Sequence, residues 1–198
     1  MAEQRKRRLT RDDIMSMAEY AKVRHSRRSE VVAQKQNRRV EVGPFATLYF
    51  ESYATMWLQV HEMLRIEKGG DAQIADELAA YNPLIPKGDE LVATLMFEID
   101  DPVRRARELG RIAGVEKTVT LAFGGETVRA VPETDIERTK EDGKTSSVHF
   151  LHFPFTPAQI AKFRAANTQV IAGIAHPAYG HMSVLPEATR AALAADFD

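Results

Sequence analysis

The amino-acid sequence predicts an α+β protein: a long basic N-terminal helix, a β-hairpin with a following helix, and a mainly antiparallel sheet of about five strands with helices on one face. Three observations carry this prediction. Residues 14–21 place apolar side chains at helical spacing, residues 91–99 alternate as in a mostly buried strand, and Gly124-Gly125 joins two strand-like segments. With 198 residues, 44% of them apolar, the chain is expected to form a single domain, residues 1–198, around a buried core.

Residues 1–37 are predicted to form a basic tail and one helix. Thr10, followed three positions later by Asp13, has the spacing of a capping box, so the helix is expected to begin there and to continue to about Gln36. At helical spacing its apolar stripe continues into cationic side chains, and a cationic stripe that faces the core should meet carboxylates. These cations are Arg24, Arg28 and Lys35.

Residues 38–88 are predicted to form the hairpin and helix segment. Residues 39–42 alternate like a strand and end at the turn-forming pair Gly43-Pro44. The next segment, residues 45–52, allows a strand or a helix, and its aromatic and β-branched residues favour the second strand of a hairpin. The elements that follow are a helix (53–68) that ends at Gly69-Gly70, a short helix (72–80) and an extended stretch (81–86).

Residues 89–198 are predicted to form the body of the protein, in the order β-α-β-β-β-α-β with a C-terminal helix. Asp101-Pro102 and Thr156-Pro157 each combine an N-cap residue with proline at the first helical position, which is typical of a helix start. The predicted strands are residues 90–99, 117–123, 126–131, 147–153 and 169–175, and the predicted loops are residues 132–146 and 176–181.

Composition excludes several classes of function. The chain has no cysteine, so disulfides, thiolate metal sites and cysteine nucleophiles are excluded. It has no apolar run of the roughly 20 residues that span a bilayer and no signal-type apolar stretch after its basic start, so we expect a cytoplasmic protein without membrane contact. The glycine-rich nucleotide loops and the common hydrolase motifs are also missing from the sequence.

The net charge of −1 conceals an uneven distribution. Residues 1–39 hold 12 Lys and Arg against 5 acidic residues, a net charge of +7, and the rest of the chain therefore carries −8. This division favours a basic helix that folds back on, or swaps onto, an acidic body. A nucleic-acid-binding arm is the less favoured alternative, because no aromatic residue interrupts Arg5 to Arg8 to stack on bases.

The segment from Phe45 to Lys68 is the strongest candidate for a functional site, because it places polar groups among apolar neighbours. On its helix, Thr55, Gln59 and Glu62 stand four and three residues apart and so share one stripe, which Glu51 extends if the preceding segment is helical. Carboxylates among apolar side chains are costly unless cations or a metal ion neutralise them.

Three interpretations of these carboxylates remain open. The first, which also explains the cationic stripe and is the one we favour, is a buried ion-pair network made of Arg24, Arg28, Lys35, Glu51, Gln59 and Glu62. The second is a polar ligand-binding pocket made of the same groups. The third is a site for a divalent metal such as iron, zinc or manganese, with ligands drawn from Glu51, His61, Glu62, His149 and His176.

Several separated motifs resemble a bacterial family catalogued as domain of unknown function 3501. They are Leu9 to Ile14, Arg38 to Pro44, Phe50-Glu51, Gln59, Glu62-Met63, Tyr81 to Pro86, Ser147 to Phe150 and His176 to Tyr179. The resemblance covers nearly the whole chain and supplies no activity that transfers residue by residue. It implies gene neighbours of the rubrerythrin-like and iron–sulfur oxidoreductase kinds, and so a link to redox or oxidative-stress metabolism.

The function predicted from the sequence is that of an accessory or binding protein, with a second copy of the chain or a redox protein as its partner. A metal-binding enzyme or redox protein with a Glu/His site is the alternative. Nucleic-acid binding through the basic N-terminus is the second alternative.

Overall fold

The structure of the protein, a computed structural model, describes residues 6–133 and 145–198. Within these residues it contains six α-helices and two antiparallel sheets, so the α+β class is confirmed. The helices are α1 (Met17–Lys35), α2 (Tyr53–Glu67), α3 (Gly70–Tyr81), α4 (Pro102–Arg111), α5 (Pro157–Arg164) and α6 (Glu187–Ala194). The strands are β1 (Arg39–Val42), β2 (Ala46–Phe50), β3 (Glu90–Phe97), β4 (Val119–Phe123), β5 (Glu126–Arg129), β6 (Val131–Pro132), β7 (Val148–Pro154), β8 (Val170–His176) and β9 (Tyr179–Val184).

The strands divide between two sheets that face each other. The first has the order β1-β2-β3-β7-β6 and the second the order β5-β4-β8-β9. Apolar side chains from both sheets, among them Leu95, Phe153 and Leu121, form one core. The prediction of a single sheet of about five strands is therefore corrected: α4 carries the chain from β3 to a second sheet, which lets the apolar face of each sheet bury that of the other.

The helices lie in more than one place, which corrects the prediction of helices on one face. Met56 and Val60 of α2 and Ile74 of α3 pack with Val92 on the outer face of the first sheet, in a second apolar cluster. The helices α4, α5 and α6 instead contribute side chains such as Phe163 to the core between the sheets. Each helix of the described residues is too short or too polar to cross a lipid bilayer.

The N-terminal helix begins later than the sequence pattern predicts. Thr10 caps a single 3-10 turn, and α1 begins only after Ser16, whose capping box with Glu19 is complete. Between the two, Ile14 is extended and buried in the second apolar cluster. Burial of this side chain and the contacts of the neighbouring backbone prevent the two turns from joining into one helix.

The ambiguous segment 45–52 is a strand, as the hairpin prediction requires. β2 pairs with β1 on one side and with β3 on the other. Ser52 then caps α2 through the backbone N–H of Thr55. At the other end of α2, Lys68 takes a left-handed conformation (φ 56°) and Gly70 follows with φ 66°.

The prediction of a loop over residues 176–181 is wrong. A tight turn at Pro177-Ala178 joins β8 to β9, and Tyr179 already belongs to the second strand. Its buried hydroxyl donates a hydrogen bond to the carbonyl oxygen of Val42 (2.7 Å) and accepts one from the N–H of Ala46 (3.0 Å). These bonds fix the β1–β2 turn against the second sheet. Most of the other predicted loop, residues 132–146, lies outside the described residues.

Candidate functional site

The carboxylate of Glu62 is the centre of the ion pair that joins α1 to α2. Arg24 donates two hydrogen bonds to it, from Nε and Nη2, each 2.8 Å long, and the hydroxyl of Tyr20 donates a third at 2.6 Å. The Arg24 guanidinium is the main reason that the pKa of Glu62 falls from 4.5 to about 2. The predicted pairing of Arg24 with Glu62 is therefore present.

The other members of the predicted ion-pair network do not join it. Arg28 and Lys35 are exposed on α1 and have no carboxylate partner among the described residues. Glu51 is buried, yet its two oxygens accept hydrogen bonds from the hydroxyls of Thr55 and Thr94, each at 2.7 Å. Gln59 turns to another helix, where its amide donates to the hydroxyl of Tyr81 (3.4 Å).

His61 belongs to α2 and is buried where this helix contacts the N-terminal segment. Its Nε2 accepts a hydrogen bond from the N–H of Met15 (3.1 Å), and its Nδ1 donates one to the carbonyl oxygen of Trp57 (2.7 Å). Burial lowers its pKa, which keeps the imidazole neutral and consistent with this bonding. Because both ring nitrogens are used, His61 holds the segment before α1 in place and is not available to a metal ion.

The predicted metal ligands do not converge. His149 lies in the first sheet, where its Nε2 is 2.9 Å from the carbonyl oxygen of Ser146. His176 lies at the end of β8, and its Nε2 donates to the carbonyl oxygen of Ala113 (3.2 Å). Across residues 6–133 and 145–198, no three His, Asp or Glu side chains form a group that could hold a metal ion. The third interpretation of the carboxylates is thus without geometric support in the described chain.

A cationic cleft lies where the N-terminal segment, the end of α1, the start of α2 and α6 meet. Its volume is about 980 Å³. Its charged lining consists of Lys6, Arg7 and Arg38 against the single carboxylate of Asp196, which gives a net charge of +2. Polar side chains of Gln34, Asn37 and Ser52 complete its polar wall.

Arg38 is the fixed charge of this cationic cleft. The residue is only 7% exposed, and it donates to the carbonyl oxygens of Phe50 (3.0 Å) and Glu51 (2.7 Å) besides pairing with Asp196. Such a guanidinium cannot move away without leaving buried acceptors unpaired. Arg38 therefore joins the end of β2 and the following residue, Glu51, to the C-terminal segment that follows α6.

The other two cations, Lys6 and Arg7, belong to the N-terminal segment and are more exposed than Arg38. Lys6 pairs with Asp13 and keeps 64% of its side chain exposed. Arg7 pairs with Asp198 and donates to the carbonyl oxygen of Pro86 (3.3 Å). Long cationic side chains that are partly exposed can exchange such partners for a bound anion.

A smaller apolar groove of about 430 Å³ continues from the cationic cleft between α1 and α2. The two share Lys6, Gln34, Tyr53 and Ala54. The apolar groove is also lined by Met15, Val31, Trp57, and the charged residues Asp13, Arg27 and Glu30. With Lys6, which it shares with the cleft, its two cations balance its two carboxylates; the cleft and the groove together carry four cations against three carboxylates, a net charge of +1.

Comparison with known proteins places the whole fold in one family. The model of a family described as a protein of unknown function (DUF3501) matches residues 8–197. The chain belongs to this family. A solved structure from Burkholderia pseudomallei K96243, described as a novel protein of unknown function, is similar as well: 39% of aligned residues are identical, 96% of this chain and 99% of that chain are covered, and the TM-score is 0.89. None of the curated proteins matches the chain.

In this member of the DUF3501 family, the cationic cleft is the feature that sequence reasoning missed. Its cations come from positions more than 30 residues apart, Lys6 and Arg7 on one side and Arg38 on the other. The signal for it was the excess of positive charge in residues 1–39, which we assigned to the helix rather than to the chain on either side of it. The spacing of these residues in the sequence does not predict that they lie close together. The chain turns before α1 and forms a hairpin after it, and these two features bring Lys6 and Arg7 near Arg38.

Proposed function

We propose that this protein is an accessory or binding protein whose cationic cleft holds the carboxylate or phosphate group of a small ligand, with the apolar part of that ligand in the adjoining apolar groove. One observation carries the proposal: the cleft has a net charge of +2, whereas the groove that opens from it is neutral and partly apolar. A ligand with one anionic end and one apolar end fits this division of charge.

The three cations would have different roles toward an anionic group. Arg38 supplies a positive charge that does not move, because its donors are already held by backbone carbonyls and Asp196. Arg7 and Lys6 would exchange their present carboxylate partners for the ligand. The first residues of α2 also line the cleft, and the partial positive charge at the start of this helix adds to the attraction.

Octyl phosphate is a suitable probe, and octylamine, with the same tail and the opposite charge, is its matched control. Binding is measured by titration calorimetry and by the fluorescence of Trp57, the one tryptophan of the chain, which lines the apolar groove. We expect octyl phosphate to bind and octylamine not to bind. Replacing Arg7→Gln should weaken binding by about 10-fold, since one charge-assisted hydrogen bond is lost.

The control variant is Arg28→Gln, which removes an exposed cation of α1 outside the cleft. It should leave the affinity for octyl phosphate unchanged. Equal affinity for octylamine, or an affinity that Arg7→Gln does not alter, would refute the proposal.

A second candidate function rests on the exposed surface of α1. Lys22, His25, Arg28 and Lys35 are all exposed along this helix, whose buried residues are Tyr20 and Val31 alone. A basic surface of this kind favours an acidic protein partner, in line with the redox partner that the sequence resemblance implies. Association of the full chain with poly-glutamate should weaken with salt, and a Lys22→Gln, Arg28→Gln, Lys35→Gln variant should abolish it. Retained binding in that variant would refute this candidate.

Two alternatives from the sequence stay predictions, as does the cytoplasmic location. Stoichiometric iron, zinc or manganese in protein purified without an affinity tag would support a metal-binding role. Tight, strongly salt-dependent binding of double-stranded DNA would support a nucleic-acid role for the basic N-terminus, of which Arg5 lies outside the described residues.

A further inference from the structure

A further cavity, of about 720 Å³, lies between the N-terminal segment and the end of α3. It shares no lining residue with the cationic cleft or the apolar groove. Its charged lining residues are Arg8, Arg11 and Lys87, and no carboxylate of the described chain lines it, so its net charge is +3. Asp71, which is not a lining residue, pairs with Arg11 (3.0 Å) and leaves an excess of +2. We call this cavity the three-cation pocket.

Hydrogen bonds hold the backbone that carries these cations. The side-chain amide of Asn82 accepts a hydrogen bond from the N–H of buried Leu9 (2.7 Å) and donates one to its carbonyl oxygen (3.0 Å). The Nζ atom of Lys87 donates to the carbonyl oxygens of Arg7 (3.2 Å) and Asn82 (2.8 Å). Arg8 thus stands between two residues whose main chain is held, so its position is set before any ligand binds.

The fold brings these positive charges together without neutralising all of them. Arg8 forms no ion pair with any residue that the structure describes, and Lys87 bonds to carbonyl oxygens instead of a carboxylate. Burial lowers the pKa of Lys87, and the charges of Arg8 and Arg7 lower it further, whereas Glu90 acts in the opposite direction. Like charges held close together destabilise a compact fold, so an anion bound among them would relieve a repulsion that the protein otherwise carries.

Short apolar side chains form the rest of the three-cation pocket. Ala75 and Ala79 stand one turn apart on α3, and both are exposed. Leu78 and Pro83 also line the cavity. A ligand with a small flat apolar group could therefore lie on α3 beside the cations.

We propose that the three-cation pocket binds a small phosphate monoester, with the phosphate among the cations and the apolar group on the alanines of α3. A phosphate monoester carries a charge of about −1.5 to −2 at pH 7, which matches the excess that remains after Asp71 pairs with Arg11. Arg8 would donate two parallel hydrogen bonds to the phosphate oxygens. Lys87 has a third N–H donor besides the two already in use, and would donate it to the same group.

Titration calorimetry of the full chain with phenyl phosphate at pH 7 tests the proposal. Phenyl sulfate is the matched control, because it has the same ring and only one negative charge, and it should bind at least about 10-fold more weakly. Arg8→Gln should weaken the binding of phenyl phosphate by about 10-fold, since its charge-assisted hydrogen bonds are lost. The control variant is Arg104→Gln, which removes an exposed cation of α4 outside the pocket and should leave the affinity unchanged.

Three results of the calorimetry would overturn the proposal. They are equal affinity for the two probes, no binding of phenyl phosphate up to about 5 mM, and an Arg8→Gln variant that binds as tightly as the natural protein. None of them bears on the cationic cleft, whose own test depends on Arg7 and on octyl phosphate.

Alkylation with iodoacetamide shows where the probe binds. Because the chain has no cysteine, Ala79→Cys introduces a single thiol inside the pocket, and Ala80→Cys introduces one at an exposed neighbour that does not line it. At about ten times its dissociation constant, phenyl phosphate occupies about 90% of its sites and should slow the reaction at position 79 several-fold. The reaction at position 80 should keep its rate. Binding that leaves both thiols equally reactive places the probe outside the three-cation pocket and overturns the proposal.

Discussion

Replacing Glu62→Gln removes the charge that joins α1 to α2 and leaves a side chain of the same size. In the native protein its carboxylate accepts two hydrogen bonds from Arg24 and one from Tyr20. The pKa of Glu62 falls from 4.5 to about 2, mainly because of Arg24. If all of this difference were favourable interaction, it would correspond to ~3.4 kcal/mol. The two side chains are 28% and 20% exposed, so solvent screening reduces the expected loss to about 1.5 kcal/mol.

The effect of Glu62→Gln should depend on pH with a defined sign. A carboxylate whose pKa is lower in the folded state stabilises the protein above its unfolded value of 4.5, and the contribution disappears as the pH falls through about 2. Urea unfolding of both proteins at pH 7 and pH 3 measures this. At pH 3 the difference in free energy of unfolding should be clearly smaller than at pH 7, because this pH lies below the unfolded pKa of 4.5, where part of the contribution is already lost.

The matched control is Glu30→Gln on α1. Glu30 also pairs with an arginine, Arg27, but both side chains are 55% exposed, so the loss should stay below about 0.5 kcal/mol. If Glu62→Gln costs no more than Glu30→Gln, or if its cost is the same at pH 7 and pH 3, the Arg24–Glu62 pair does not stabilise the contact between α1 and α2.

Three further predictions concern other buried or constrained groups. His152 lies between two glutamates, Glu90 and Glu133, that raise its pKa. When measured at pH values below 6.5, the thermal midpoint of unfolding should therefore be lower for His152→Gln than for the natural protein, and this difference should fade as the pH rises through the folded pKa. An equal loss at pH 5 and pH 9 would contradict this. Thr94→Val removes one of the hydroxyl donors of buried Glu51 and should cost about 1.5–3 kcal/mol in urea unfolding, whereas no loss would mean that the donor is dispensable. Gly43→Ala should cost more than about 1 kcal/mol, because φ is +79° and the new Cβ would lie 2.5 Å from Cγ of His181; an unchanged midpoint would show that the turn relaxes.

The local elements of the fold could be predicted wherever a chemical signal marks their ends. The strand β2 and the start of α2 follow from aromatic and β-branched residues and from the Ser52 cap. The Pro177-Ala178 turn was mistaken for a loop because Pro177 and Gly180 are typical of turns, and the sequence does not reveal that the Tyr179 hydroxyl is held by the distant β1–β2 turn. Tertiary hydrogen bonds of this kind override local propensity.

The number of sheets could not be predicted from periodicity. An alternating strand has one apolar face whether it packs on a helix or on another sheet, so Val119–Phe123 looks the same in both arrangements. The same ambiguity affects the candidate site. Helical spacing assigned Arg24, Arg28 and Lys35 to one stripe, yet only Arg24 reaches a carboxylate of α2, because the helix begins at Met17 and lies against α2 along part of its length.

The structure shows where the excess positive charge of residues 1–39 lies. A basic helix that packs on an acidic body should pair most of its cations, but within residues 6–133 and 145–198 only Arg24 of α1 makes an ion pair with another element. Two consequences follow from the remaining excess. Lys6, Arg7 and Arg38 lie together in the cationic cleft, and Lys22, Arg28 and Lys35 are exposed on the outer surface of α1. The cations of the cleft are paired with carboxylates, whereas Arg28 and Lys35 of α1 have no carboxylate partner among the described residues. Unpaired cations on a folded surface raise its electrostatic potential without stabilising the fold, so this part of the charge excess is not explained by the packing of α1.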